Sequence, residues 1–568
     1  MATIKHRADG RAVRATTARS LAGQEWTSID WAKSSREVQR LQQRIFRASQ
    51  QEQWQKVRSL QRLLLRSDAN LVLSVRQVTQ VNKGKRTPGV DGRTATTHHE
   101  RWRFLNDLRQ ARTNCTKPVR RVYIPKANGK QRPLGIPTIE DRVRQNVVKT
   151  ALEPAWEPHF EATSYGFRPG RSVHDALQYL WYRLNSRARS KWVLDADIRG
   201  AFDHISHSYI LRRMGNFPAR RQVKAWLEAG YLEFGRIHET TEGTPQGGVI
   251  SPLLANIALD GLGAYLAQYH MPGKKSWYYY GYARYADDFV ITAADKVRLE
   301  QRLPEIRTWL AERGLELNEE KTRIVHVDDG FNFLGATLRR YRGQLLITPQ
   351  KEKVLAKLRE LKGWLHHNPT VKSRVVVNHL SPILRGWAQH YQPLSSSKTY
   401  SYFQHRLWQM LWSWARRRHP HWTTVRLKAK YFHAAYGSDW VFFADTKGRH
   451  GDHIVVDLMP VRLPIIRHVL VAGNNSPMDP SLKDYWTTRH RVRALVRFRT
   501  SAKKRMIGFQ QDWRCSVCRQ PLLNGESLDT HHRVRVMDGG SNRSANLEMR
   551  HEACHYNSKD IRHSLSCG

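Results

Sequence analysis

The chain has few cysteines, few acids and no long apolar run. Only five of its 568 residues are cysteine, which argues against a disulfide framework and for a reducing compartment. No run of 18 apolar residues is present, so we expect no membrane partner. Acids number 49 against 95 Lys and Arg, a formal net charge of +46. This excess predicts a polyanionic partner, and nucleic acid fits better than a lipid surface.

An adjacent pair of acids, Asp287 and Asp288, lies inside a run of aromatic and β-branched residues from Trp277 to Thr292. Such flanks predict a hairpin that holds the two carboxylates at its turn. Two neighbouring carboxylates repel each other, and a divalent metal is their usual counter-charge. A solvated acidic turn is the alternative that this stretch alone leaves open.

A short apolar strand lies upstream and carries Asp195, Asp197 and Asp203 at or just beyond its end. An acid at a strand end beside a two-acid hairpin could clamp two Mg²⁺ ions, as in-line nucleotidyl transfer requires. Between the two acidic stretches, residues 243–256 form a Gly- and Pro-marked turn that runs into an apolar, helix-like segment.

In this order, the three stretches resemble the palm motifs of reverse transcriptases. The form Thr244-Pro-Gln-Gly-Gly248 and the hairpin-like residues 118–137 are most similar to group II intron-encoded proteins, which are reverse transcriptases and maturases. The resemblance covers about residues 26–560 and implies an α+β multidomain fold built around a right-hand polymerase. Its expected parts are a disordered basic N-terminus (1–25), a helical extension (26–80), fingers and palm (81–345), an α-helical thumb or maturase domain (346–440), a basic DNA-binding region (441–505) and a zinc-stabilised ββα-metal HNH domain (506–568).

The resemblance assigns roles to palm residues. Asp197 and Asp287 match the acids that bind two Mg²⁺ ions, and Asp288 matches their supporting acid. Phe202 matches the ring under the sugar, where bulk leaves no room for a 2′-hydroxyl and so favours dNTPs. Gln246 matches a residue that lines the nucleotide pocket.

Cations are also expected around the incoming nucleotide. Lys126 and Arg132 on the predicted fingers hairpin would grip the triphosphate. Lys321 would stand near the leaving pyrophosphate, where it could act as an electrostatic or acid catalyst. An ion pair to Glu319 or Glu320 is an equally favoured alternative for this lysine.

Three further stretches are expected to contact nucleic acid. Residues 351–440 hold 16 Lys and Arg against three acids, and their apolar spacing predicts a basic three-helix thumb. The aromatic and basic turn at 165–171 resembles the template contact of the family. Residues 489–505 hold eight Lys and Arg and no acid, and they resemble its DNA-binding segment, with a solvated helix as the alternative.

The C-terminal stretch carries two pairs of metal-ligand residues. Cys515 and Cys518, together with His551 and Cys554, form a four-ligand set of the kind that holds structural zinc.

Between these pairs the sequence resembles an HNH endonuclease. By that match His531 and His555 would bind a catalytic divalent metal, His532 would be the general base and Asn546 its orienter. Arg535 departs from the pattern, which often has proline there.

The resemblance implies a protein that binds its group II intron RNA, promotes splicing, nicks target DNA and makes intron cDNA from dNTPs, as in retrohoming. We expect it in the bacterial cytoplasm near the nucleoid, with an organelle less favoured. One alternative is a maturase that acts only by binding RNA, which the intact acids at Asp197, Asp287 and Asp288 disfavour. A second is a related reverse transcriptase recruited to host defence, for which the C-terminal module is unexpected.

Overall fold

The computed structural model describes residues 25–111, 116–125, 129, 131–269, 280–447, 453–499 and 501–557. Residues 1–24 of the expected disordered segment lie outside this set, as does Lys126. Among the described residues, no helix combines the length and apolar character needed to cross a membrane.

Helices build the N-terminal region. Asp30 begins the first of them, because its side chain accepts a hydrogen bond from the Lys33 amide at 2.8 Å. Val38 and Ile45 are buried on one face of it, which confirms the helix that their spacing predicts. The helices are α1 (Trp31–Gln50), α2 (Trp54–Arg66), α3 (Asp68–Arg76) and α4 (His98–Gln110).

A four-stranded sheet forms the fingers, and its strand order is β2-β1-β4-β5. The strands are β1 (Val119–Pro125), β2 (Gln131–Ile136), β4 (Tyr231–Glu233) and β5 (Arg236–His238). β1 and β2 pair antiparallel with Arg132 opposite Ile124, which confirms the predicted hairpin.

The palm is a second four-stranded sheet, with the order β6-β7-β3-β8. Its strands are β3 (Trp192–Asp197), β6 (Gly281–Tyr285), β7 (Asp288–Ala293) and β8 (Arg323–His326). Both faces are covered: Val193 and Val290 pack into one apolar cluster, and Leu194 and Phe289 into another.

Eight helices of the described chain surround the two sheets and connect their strands. They are α5 (Ile139–Trp156), α6 (Val173–Leu184), α7 (Ala201–His204), α8 (His207–Met214), α9 (Arg220–Leu227), α10 (Ser251–Ala258), α11 (Leu262–Ala267) and α12 (Lys296–Ala311).

The palm leads through a three-stranded sheet into three long helices, which confirms the predicted helical thumb. The strands are β9 (Phe331–Phe333), β10 (Ala336–Tyr341) and β11 (Gln344–Pro349). The helices are α13 (Lys351–His367), α14 (Ser373–Tyr391) and α15 (Ser397–Arg418), followed by the short α16 (Thr424–Tyr431). Trp387 and Trp414 are buried among them, so these rings belong to the core.

A three-stranded antiparallel sheet follows the thumb and extends into residues 441–505, for which the sequence indicated no strands. It consists of β12 (Phe432–Ala435), β13 (Ser438–Lys447) and β14 (His453–Asp457). Its Phe432 and Phe442 pack against the thumb helices, and this contact keeps the sheet in place.

The C-terminal module follows the helices α17 (Lys483–Arg497) and α18 (Ala502–Gln510). It contains two antiparallel strands and a helix: β15 (Leu528–His532), β16 (Leu547–His551) and α19 (Glu552–Asn557). Its buried residues share one apolar cluster with Trp31, Val75 and Phe104 of the N-terminal helices. The two ends of the chain therefore form one core.

Candidate active site

Three acids meet at one edge of the palm sheet. Asp197 ends β3 and lies opposite Asp288, the first residue of β7, in the antiparallel register. Asp287 occupies the turn between β6 and β7, next to Ala286 with its positive φ of 61°. Burial, followed by repulsion from Asp287 and Asp197, raises the pKa of Asp288 to about 7. A divalent cation would relieve this repulsion, so the residues fit a metal site.

Lys321 lies against these acids, with Nζ 2.6 Å from Oδ2 of Asp197. Asn318 donates to the same oxygen at 3.2 Å. Glu319 pairs with Arg307 instead, at 3.0 Å. The sequence left open whether Lys321 stands near the leaving pyrophosphate or pairs with Glu319 or Glu320. In the structure its charged partner is Asp197 of the palm.

The catalytic turn rests on a buried arginine that the motifs did not single out. Arg284 is 1% exposed and donates to Asn256 Oδ1 at 3.0 Å, to Ser164 Oγ at 2.7 Å and to the Ala286 carbonyl at 3.2 Å. Asn256 in turn donates to the Gly166 carbonyl at 2.8 Å. The visible signal was a charged residue inside an apolar strand, which needs buried partners.

The residues expected at the nucleotide stand on neighbouring elements. Phe202 is half-buried on α7, and its carbonyl accepts from the Thr244 amide at 2.5 Å. Gln246 donates to Asp203 Oδ2 at 3.0 Å, so Asp203 has a positioning contact. Arg132 is exposed on β2, and its charge lowers the pKa of Asp287, although burial raises that pKa overall.

The expected template turn at 165–171 is partly structural. Arg168 is buried and forms an ion pair with Glu157 at 2.9 Å, with the two side chains 1% and 0% exposed. It also donates to the Ser164 carbonyl at 2.8 Å. Only Phe167, 50% exposed, presents a large apolar surface from this turn. Arg168 therefore holds the turn together, and the template contact of this turn stays a prediction.

The basic run at 489–505 is also partly internal. Arg489 is 8% exposed and bonds to Asp175 Oδ1 at 3.2 Å, across to the start of α6. His468 contacts the same oxygen at 2.9 Å. At least this arginine of the expected DNA-binding segment is a packing residue, because a buried guanidinium cannot reach a phosphate.

Four buried residues of the C-terminal module converge as the sequence predicts. The ligand atoms of Cys515, Cys518, His551 and Cys554 all lie within 4.8 Å of one another. Nε2 of His551 lies 3.1 Å from the Pro521 carbonyl, which leaves Nδ1 facing Cys518 Sγ at 3.3 Å. A backbone carbonyl that accepts a hydrogen bond from one ring nitrogen commonly orients a histidine whose other nitrogen binds a metal. The set fits a tetrahedral Zn²⁺.

Two of the expected nuclease histidines meet at the other side of the module. His555 Nε2 lies 3.1 Å from His531 Nδ1, and its Nδ1 lies 3.1 Å from Asp529 Oδ2. Asp529 was not among the residues chosen from the sequence, although it stands two positions before His531 on the same face of β15. Because Asp529 contacts Nδ1 of the His555 ring, its position leaves Nε2 of His555 facing His531, and these two nitrogens could share one divalent cation.

The contacts of His532 and Asn546 differ from the expected pairing. Nε2 of His532 lies 2.8 Å from the Asn542 side-chain oxygen. Asn546 instead fastens the loop between the strands: it accepts from the Val534 amide at 2.9 Å and donates to the Val534 and Ser541 carbonyls, both at 2.8 Å. Asn546 thus holds the loop that follows His532. The side chain that contacts the His532 ring is Asn542 and not the expected Asn546.

Arg535, where the resemblance often has proline, keeps a backbone that proline could adopt. Its φ is −64° and its ψ is 148°, at the start of a short 3₁₀ turn, Val536–Asp538. The backbone at Arg535 is therefore compatible with the proline of the family pattern.

A sheet edge with three acids beneath a cationic hairpin defines the class of nucleic-acid polymerases with palm and fingers. The family model of reverse transcriptase (RNA-dependent DNA polymerase) matches residues 124–338. The N-terminal domain of reverse transcriptase matches 26–108, and the group II intron maturase-specific domain matches 352–432. The chain belongs to the reverse transcriptase and maturase family of group II introns.

Curated relatives agree with this family. The chain is 38% identical over 322 residues to the protein YkfC of Escherichia coli, an alignment that covers 50% of this chain and 84% of YkfC. It is 32% identical over 360 residues to the group II intron-encoded protein LtrA of Lactococcus lactis, covering 52% of this chain and 59% of LtrA. The chain thus spans less than two thirds of LtrA.

Solved structures of telomerase are also similar in part. Apo telomerase from Candida tropicalis aligns with a TM-score of 0.34 and 12% identity, covering 54% of this chain and 62% of that one. A likeness this weak carries no inference about the present chain.

Proposed function

We propose that this protein copies RNA into DNA at the palm edge, using its own intron RNA as template. The observation that carries the proposal is the antiparallel register that places Asp197 opposite Asp288, with Asp287 in the adjoining turn. An edge of three acids at the end of a rigid sheet suits in-line transfer of a nucleotide from a dNTP to a primer.

Each residue of the site has a role in that reaction. Mg²⁺ bound by Asp197 and Asp287 would neutralise the charge that develops on the phosphate oxygens. Lys321, which lies beside Asp197, would stabilise the departing pyrophosphate. Arg132 on the fingers strand would hold the triphosphate, and Phe202 would exclude a ribose. Lys126 belongs to the same proposal but lies outside the described residues.

Changing Asp197 to Asn tests this role directly. The substitution keeps the side chain's size but removes its charge, so dNTP incorporation on an annealed RNA template should fall at least about a hundredfold. Asp295→Asn is the matched control, since Asp295 is a helix N-cap at the opposite end of β7 and Asn caps helices equally well. Incorporation at the parent rate by Asp197→Asn would refute the palm assignment.

The proposed RNA partner is supported by the surface of the thumb. Its exposed cations include Lys351, Lys353, Arg359, Lys362, Lys372, Arg385, Arg406, Arg416 and Arg417. Such a surface would bind phosphates of the intron RNA and allow the protein to promote splicing. We include target DNA as a further partner, so that intron cDNA would be made by target-primed reverse transcription.

A second activity, nicking of target DNA, is supported by the C-terminal module. Its ββα order brings Asp529, His531 and His555 together on one side, and His532 is held by Asn542. A divalent cation held by His531 and His555, with Asp529 orienting the His555 ring, would supply charge stabilisation at the scissile phosphate. His532 would take a proton from the attacking water.

His532→Ala tests the nuclease. Nicking of a labelled DNA duplex by the ribonucleoprotein should be lost, while reverse transcription on an annealed primer is spared. His421→Ala, which removes an exposed histidine beyond the thumb helices, is the control. Unchanged nicking by His532→Ala would exclude an HNH mechanism.

We also propose that Cys515, Cys518, His551 and Cys554 hold a structural Zn²⁺. In so small a module, metal binding supplies much of the free energy of folding. Metal analysis of the purified protein should give one zinc per chain, and Cys518→Ser should release it. A parent protein without zinc would overturn this assignment.

A further inference from the structure

One side chain from the N-terminal helices reaches the four-residue metal set. Arg76, the last residue of α3, donates from Nη2 to Cys554 Sγ at 3.1 Å. The same nitrogen lies 3.0 Å from Oε2 of Glu526, which belongs to the module. The side chain of Arg76 is 7% exposed and that of Glu526 15%, so this contact is shielded from water.

Other polar contacts surround this one. Asn557, three residues beyond Cys554, exchanges two hydrogen bonds with Gln80: it accepts one at 2.7 Å and donates one at 3.0 Å. Its oxygen also accepts from Trp26 Nε1 at 3.3 Å. The module is therefore attached to residues 26–80 by buried and directional bonds, in addition to the shared apolar cluster.

We propose that Arg76 is an outer-shell positioning residue of the metal site, so that metal binding and attachment of the C-terminal module to the N-terminal helices are coupled. The inference rests on the zinc site proposed above. It adds that this site depends on Arg76, which lies more than 400 positions before Cys554 in the sequence.

The charges explain the coupling. Three thiolates around Zn²⁺ leave one net negative charge, and a guanidinium hydrogen bond to one sulfur stabilises the thiolate form. Arg76 thus joins Cys554 of the metal set to Glu526 in a shielded position, and a change at the metal set would alter the contacts that hold α3. Coupling of this kind is reciprocal, so attachment should strengthen metal binding as much as the metal strengthens attachment.

The first experiment compares metal affinity in the full-length protein. Arg76→Gln should weaken zinc binding, measured against a competing chelator, by about 10- to 100-fold. It should also shift the thiolate charge-transfer absorption of the Co²⁺-substituted protein. Arg76→Lys, which keeps the charge, should restore part of the affinity. Arg109→Gln is the control, because Arg109 makes an exposed ion pair with Asp68 at 2.8 Å on the same N-terminal helices.

The outcomes separate the two proposals. A parent protein that binds no zinc overturns the metal site and this inference together. Zinc bound by the parent with equal affinity in Arg76→Gln and Arg109→Gln overturns the inference alone.

A second measurement uses the unmodified protein, in case Arg76→Gln does not fold. Hydrogen exchange at the amides of α3 should accelerate when zinc is removed by chelation. Exchange in the palm strand β3, which pairs with β7 and β8, should stay the same. Unchanged protection of α3 after complete loss of zinc would contradict the coupling.

Discussion

Phe202 is the residue on which sugar selection depends in this account. Its backbone is fixed by the hydrogen bond from the Thr244 amide, and its ring packs against the palm cluster on one side. The ring therefore has little freedom to move aside for a 2′-hydroxyl. A ring that cannot move aside discriminates better between deoxyribose and ribose than a mobile ring would.

Phe202→Ala should accordingly admit ribonucleotides. We expect rNTP incorporation relative to dNTP to rise about tenfold or more, with dNTP use reduced only modestly. Single-nucleotide extension of a labelled primer with each substrate measures the ratio. Phe234→Ala, which truncates a ring that is 95% exposed, serves as the control. Equal use of rNTP and dNTP by the parent would contradict the role of the ring.

The sequence predicted the positions of residues that depend on local pattern. Asp197, Asp287 and Asp288 occupy the strand end and turn that their flanks indicated. Arg284 and Asp529 were missed, because their importance depends on partners brought together only by folding. A single sequence contains no direct signal for such pairs.

The start of α6 makes several polar contacts with residues far away in the sequence. Its first turn carries Asp175, which accepts from His468, from the Val471 amide and from Arg489. Burial alone would raise the pKa of Asp175, but the hydrogen bonds and charge of His468, together with Ser172 and Val471, lower it to about 2. The start of α6 thus anchors residues 468–489.

Asp175→Asn should loosen that anchor. A carboxylate whose pKa falls from 3.8 to about 2 on folding stabilises the native state above pH 4, and this contribution disappears as the pH drops towards 2. The loss at neutral pH should be about 2 kcal/mol, and the variant's stability should vary less between pH 4 and 2. Thermal unfolding across this range measures both effects.

Asp107→Asn is the comparison for that experiment, because Asp107 makes an exposed ion pair with Arg93 at 3.2 Å. Surface pairs of this kind contribute little, so its melting temperature should stay near that of the parent. Equal effects of the two substitutions would show that the Asp175 contacts are not an anchor.

Secondary structure was predictable where one pattern dominated. Helix α13 follows the spacing of Val354, Leu358, Leu361 and Leu365, all of which are buried. The sheet of β12 to β14 was missed because its aromatic residues pack against distant thumb helices, and tertiary contacts of this kind outweigh local propensity.

Across the whole molecule, the two ends of the chain depend on each other. The sequence suggested a separable module at 506–568, since its cysteines and histidines form a compact pattern. In the structure Trp513, Leu547 and Met549 of that module share a core with the N-terminal helices. The apolar surfaces of the module and of the N-terminal helices bury each other. Removal of either one therefore exposes the other to water.

Deletion of residues 506–568 should therefore do more than abolish nicking. Hydrogen exchange should accelerate across α1 and α3, because Trp31 and Val75 lose their covering, while β3 and β7 of the palm keep their protection. His532→Ala is the control, since it removes the proposed base without uncovering the core. Unaltered exchange in the N-terminal helices would show that the module is independent.

We propose that the palm acids perform polymerisation while separate basic surfaces bind the RNA. Asp287→Asn tests it when RNA affinity and dNTP incorporation are measured on one preparation, with the exposed Asp329→Asn as the control. We predict that Asp287→Asn binds RNA with the affinity of the parent and incorporates no detectable dNTP. Incorporation at the parent rate with Mg²⁺ would contradict the account.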